Sequence, residues 1–116
     1  MEQLTDITKI FTKIRLKLSR NELSTLKYLL EVYALVMLRN TDLQQMAKTL
    51  IAYQLHMKIS RMLMQTIKAA YKVRLSVVEA ALLVDMIIEF ETVDEFGQYE
   101  ENLMLNLTLQ IHKQIV

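Results

Sequence analysis

Apolar and basic residues alternate in two short stretches of the chain. In KIRLKLS, residues 13–19, Ile14, Leu16 and Leu18 alternate with Lys13, Arg15 and Lys17. In YKVRLS, residues 71–76, Tyr71, Val73 and Leu75 alternate with Lys72 and Arg74. A period of two puts the apolar members on one face of a strand and the basic members on the other. The pattern predicts strands at 13–18 and 71–75 that pair as a two-stranded ribbon, apolar face on a core. A helical spacing competes at the first stretch: Leu4, Ile7, Phe11, Ile14 and Leu18 share one helix face. A short N-terminal helix that gives way to a strand near Lys13 satisfies both patterns.

Each stretch ends in Ser with Glu three places later, Ser19 with Glu22 and Ser76 with Glu79. Ser-x-x-Glu is a capping box, whose hydroxyl and carboxylate satisfy N–H groups at a helix start. The apolar spacing that follows is helical. Leu23, Leu26, Leu30, Tyr33 and Met37 form one stripe, widened by Leu29, Leu35 and Val36; Leu83, Met86, Ile87 and Phe90 form another. Asn40 and Gly97, residue types that tolerate the left-handed conformation closing a helix, mark the expected stops. Helices are therefore expected at about 20–39 and 77–96. Setting Ser19 on Ser76, a shift of 57, also sets Glu22 on Glu79, Leu26 on Leu83, Tyr33 on Phe90 and Asn40 on Gly97. The expected fold is mainly α, a four-helix bundle of two β-α-α-like half repeats, about 13–70 and 71–116, in a single domain with a short ribbon.

A third helix is expected at about 42–70, with Thr41 as its N-cap. Gln54, Lys58, Arg61, Gln65, Lys68 and Lys72 share a narrow polar stripe on it. Met46, Tyr53, Met57, Met64, Ile67 and Tyr71 fall on one apolar arc; Ala52, Leu55, Ile59, Met62, Leu63 and Ala70 fall on another. Two apolar arcs put such a helix either at the centre of the fold or between subunits, with Met46, Tyr53, Met57, Met64 and Tyr71 as the candidate interface. The last helix, about 98–114, competes with a strand, because LMLNLTLQIH alternates from Leu103 to His112. Leu, Asn and Gln are weak strand formers, and Leu103, Leu107 and Ile111 keep helical spacing.

Composition agrees with this picture. One glycine and no proline make a turn-rich sandwich or barrel hard to build. The absence of cysteine removes disulfides, thiolate metal sites and thiol nucleophiles. No signal peptide is recognised at the N-terminus, and the longest apolar run, residues 32–38, is too short for a membrane span. A soluble cytoplasmic protein is expected. The net charge of +1 hides a division: residues 1–74 carry +8 and residues 75–116 carry −7. Either the halves neutralise each other, within or between chains, or the basic half meets a polyanion.

No catalytic constellation is visible. One glycine cannot build a phosphate loop, and His56 and His112 lack partners at the spacings of helical metal sites. Ser19 and Ser76 read as caps, His56 as a packed or interface residue, and the acids from Glu89 to Glu101 as a solvated surface. No enzyme, metal or cofactor is expected. Two functions remain. One is a helical interaction protein that self-associates or docks another protein through the 42–70 helix. The other is nucleic-acid binding through Lys13, Arg15, Lys17, Lys72 and Arg74 with Lys58, Arg61 and Lys68. In topology, the order strand, helix, helix with outward polar strand residues resembles the ribbon-helix-helix DNA-binding family, over about residues 13–60 and more faintly 72–112. That resemblance implies that Lys13, Arg15 and Lys17, with Lys72 and Arg74 in the second copy, enter the major groove.

Overall fold

The structure is a computed structural model that describes residues 14–39, 42–65, 67–93 and 95–115. The expected N-terminal helix, Lys13, and the caps Asn40 and Thr41 lie outside the described residues. Six elements follow one another: β1 (Ile14–Ser19), α1 (Arg20–Met37), α2 (Leu43–Gln65), β2 (Ala70–Leu75), α3 (Val77–Phe90) and α4 (Gln98–Ile115). The fold is mainly helical with one small antiparallel sheet. No helix among the described residues is long and apolar enough to cross a membrane.

The alternating stretches form the ribbon. β1 pairs antiparallel with β2, and Ile14, Leu16 and Leu18 face Leu75, Val73 and Tyr71 across it. These six side chains are the buried ones; the basic residues between them are exposed. The ribbon thus lays one apolar face on the helices, support that a two-stranded sheet needs. All six elements contribute to one buried cluster, which includes Leu23, Leu26 and Leu30 of α1, Leu55 and Ile59 of α2, Leu83 and Met86 of α3, and Leu107 of α4. Tyr33 and Phe90 meet edge to face in it, with centroids 6.0 Å apart.

Both capping boxes are formed. Ser19 and Ser76 hold nearly the same extended backbone, φ −69° with ψ 167° and φ −69° with ψ 164°. Each Ser Oγ accepts the N–H of its Glu at 3.1 Å, and each Glu carboxylate accepts the Ser N–H at 2.9 and 2.8 Å. The chain passes from strand to helix with its first free N–H groups satisfied.

The helix ends differ from the sequence expectation. α3 stops at Phe90, not near 96, and Gly97 is no C-cap: it has no positive φ, and its carbonyl instead accepts the Glu101 N–H at the start of α4. The chain folds back so that Val93 and Phe96 pack on the core, with Phe96 4.8 Å from Phe90. α2 ends at Gln65 rather than 70, because the segment beyond must return to pair with β1. Lys68 and Lys72 therefore leave the polar stripe that a longer helix would have carried. Asp42 caps α2, its Oδ1 accepting the Gln44 N–H at 3.0 Å. The 98–115 segment is helical, with Leu103, Met104, Leu107 and Ile111 buried.

Candidate nucleic-acid interface

The register brings like charges together. Arg15 stands opposite Arg74, and Lys17 opposite Lys72. All four side chains lie on the outward face of the ribbon and are exposed. They also occupy the positions whose backbone groups point away from the partner strand, since the N–H and C=O of Arg15 and Lys17 bond to α4. In antiparallel sheets such pairs bring their Cα atoms to about 4.5 Å, closer than the alternate pairs. Each directly opposed like-charge pair costs a few tenths to about 1 kcal/mol.

No acid offsets this among the described residues. The ion pairs there are Lys48 with Asp85 (3.4 Å), Lys58 with Glu79 (3.4 Å) and His56 with Glu31 (2.8 Å). The first two join the basic and acidic halves of the chain, so mutual neutralisation holds for α2 against α3. Among the described residues it does not extend to the ribbon.

Both edges of the ribbon are held by side chains. The Arg15 N–H donates to Gln114 Oε1 (2.8 Å) and Gln114 Nε2 donates to the Arg15 carbonyl (2.5 Å). Gln110 repeats the arrangement on Lys17, at 2.8 and 3.0 Å. Two glutamine amides thus act as a third strand. The spacing explains why it works: four residues of helix rise about 6.0 Å, and two residues of strand about 6.7 Å. Asn106, one turn earlier on α4, donates to Glu22 Oε2 (3.0 Å) and ties the α1 capping box to the same ladder. On the opposite edge, Lys58 Nζ donates to the Arg74 carbonyl and reaches Glu79 of the α3 capping box.

The cations expected to contact nucleic acid separate accordingly. Arg15, Lys17, Lys72 and Arg74 form one face. Lys58 is engaged at the ribbon edge and in an ion pair, so it belongs to the scaffold of that face. Arg61 and Lys68 are exposed but stand on the end of α2 and in the connection to β2. Among the candidate interface residues, Met46, Tyr53 and Met64 are exposed and Met57 is partly buried, whereas Tyr71 is not on that surface. It is 4% exposed beneath the ribbon, its hydroxyl accepting from Arg20 Nη1 (2.7 Å) and the Lys68 N–H (3.1 Å). Its place in the strand alternation outweighs its place on the helical wheel. Arg20 has no signal in the sequence patterns. It also approaches the Leu63 carbonyl at 3.4 Å, in the last turn of α2, where a cation is favourable. The signal for Asn106, Gln110 and Gln114 is their four-residue spacing beside the Leu103–Leu107–Ile111 stripe.

A second exposed surface lies at the α1–α2 end. Leu35, Val36, Leu38, Leu43, Met46, Leu50 and Tyr53 are all about half exposed or more. Ala34, Leu38 and Tyr53 line two adjoining apolar grooves there, one floored by Met37 and walled by Met46 and Leu50, the other reaching Leu30 and His56. No group of His, Asp and Glu among the described residues is arranged to hold a metal ion.

Comparison with protein-family models, with curated proteins and with solved structures gives no match.

Proposed function

We propose that this chain is a non-enzymatic protein that binds duplex DNA through the outward face of its ribbon. The observation that carries the reading is the set of four exposed cations, Arg15, Lys17, Lys72 and Arg74, held in opposed like-charge pairs with no acid against them among the described residues. Such a face lowers stability on its own and suits a polyanion. Lysines on exposed strands also discourage aggregation through sheet edges. Here Gln110 and Gln114 already occupy the β1 edge, so that role does not account for Arg15 and Lys17. The major groove of B-DNA is wide enough for a two-stranded ribbon, whereas the deep, narrow groove of duplex RNA is not readable by side chains.

The same reading takes the chain as two strand–helix–helix halves in one polypeptide, a single-chain counterpart of the ribbon-helix-helix arrangement it resembles. Two features support it. The capping boxes at Ser19 and Ser76 match, and the shift of 57 that relates them makes Leu16 and Val73 equivalent, the residues that face each other at the middle of the ribbon. The test is fluorescence anisotropy with a mixed-sequence duplex at low salt. The wild-type chain binds it. The variant Arg15→Gln, Lys17→Gln, Lys72→Gln, Arg74→Gln stays folded and does not. Equal binding by the two proteins refutes the reading.

A second reading, assembly through the α1–α2 end, is favoured by the cluster of exposed apolar residues there, since contiguous apolar patches commonly mark protein contacts. On this reading the chain self-associates at micromolar concentration, and Met46→Glu with Tyr53→Glu returns it to monomer in light scattering. A wild-type monomer across that range contradicts it.

A further inference from the structure

The ribbon has two chemically different ends. The Arg15–Arg74 pair lies beyond the central Leu16–Val73 pair on one side, and the Lys17–Lys72 pair lies beyond it on the other. Two identical strands paired about this centre would carry the same side chains at both ends. Here the residues exchange: Arg15 and Lys17 run in the order arginine, lysine, and Lys72 and Arg74 run in the order lysine, arginine. Antiparallel pairing then collects both arginines at one end and both lysines at the other.

Arginine and lysine are not equivalent readers of DNA. The guanidinium is a rigid planar fork that matches guanine O6 and N7 with two bonds, while the ammonium is a compact point charge on a flexible stem. The two pairs are separated by two strand residues, about 6.7 Å, close to two base steps of about 3.4 Å each. We infer that the ribbon reads duplex DNA with a polarity: Arg15 and Arg74 select guanine at one end of the site, and Lys17 and Lys72, whose ammonium groups lack the rigid fork, bind the other end with a weaker base preference. The site it selects is then non-palindromic although it is read by two similar strands. This inference rests on the proposed DNA-binding reading.

Selection of bound duplexes from a random pool tests it. The wild-type chain yields a motif with guanine fixed at one end only. Arg15→Lys with Arg74→Lys keeps every charge, so it holds affinity for mixed-sequence duplex and its salt dependence, but loses roughly tenfold or more of its guanine selectivity. Lys17→Arg with Lys72→Arg acquires guanine at both ends, giving a motif that reads the same on either strand. A palindromic wild-type motif, or guanine selectivity that survives the arginine-to-lysine change, overturns the inference while leaving DNA binding intact. A wild-type chain that binds no duplex overturns the DNA-binding reading and the inference together.

Discussion

At Lys72 stability and binding pull against each other. It stands opposite Lys17 with Arg74 two positions along the same strand. Lys72→Glu turns a repulsive cross-strand pair into an attractive one, and is expected to stabilise the fold by about 0.2–1 kcal/mol while weakening DNA binding. Urea denaturation beside a binding titration checks both signs. Tyr33 offers a residue-scale test of the core. Burial first, then the charges of Asp85 and Glu89, push its hydroxyl from 10.0 up to about 12. A raised acid pKa means that the folded state keeps the proton longer. The stability it contributes is intact below pH 10 and lost as pH rises towards 12. Tyr33→Phe is expected to flatten the pH dependence of unfolding in that window, and the difference between the absorbance titrations of the native protein and of Tyr33→Phe should show a hydroxyl ionising at about 12. An unchanged profile in Tyr33→Phe would contradict the assignment.

At the scale of elements, short sequence signals decide the starts and tertiary demands decide the ends. Ser19→Ala and Ser76→Ala should each cost about 0.5–2 kcal/mol, as lost N-caps do. Ser19 carries an extra dependence, since its partner Glu22 also accepts from Asn106 of α4. The glutamine ladder is testable separately. Gln110→Ala with Gln114→Ala removes four bonds to the β1 backbone. It should lower stability by about 0.5–1.5 kcal/mol per bond lost and increase aggregation through the uncovered edge. The strands and caps were legible because their patterns are local: period-two alternation and Ser-x-x-Glu need only a few residues to act. The end of α3 was not, because Gly97 looks like a stop while the fold-back of Val93 and Phe96 onto Phe90 is a packing event that local sequence does not encode. The ladder was not either. Asn and Gln at four-residue spacing read as an ordinary polar face until a strand edge lies beside them.

For the whole molecule, the charge division between halves resolves into two parts. Lys48 and Lys58 of α2 meet Asp85 and Glu79 of α3 and help hold the halves together. The ribbon cations take no part in this, and they stand on the face of the sheet turned to solvent. The alternation in the sequence already put the cations on the face away from the core; it did not say which cation stands opposite which, since that depends on the register between the strands. The sequence likewise divided the 42–70 segment into two apolar arcs without showing which was core; Ala52, Leu55 and Ile59 are buried, and Met46, Tyr53 and Met64 are not. The most direct test of the DNA-binding account is the salt dependence of affinity for a mixed-sequence duplex. Four cations on DNA predict a log–log slope near about −3.6, falling to about −1.8 in Lys17→Gln with Lys72→Gln. No binding at about 50 mM salt, or the same slope in both proteins, would contradict the account.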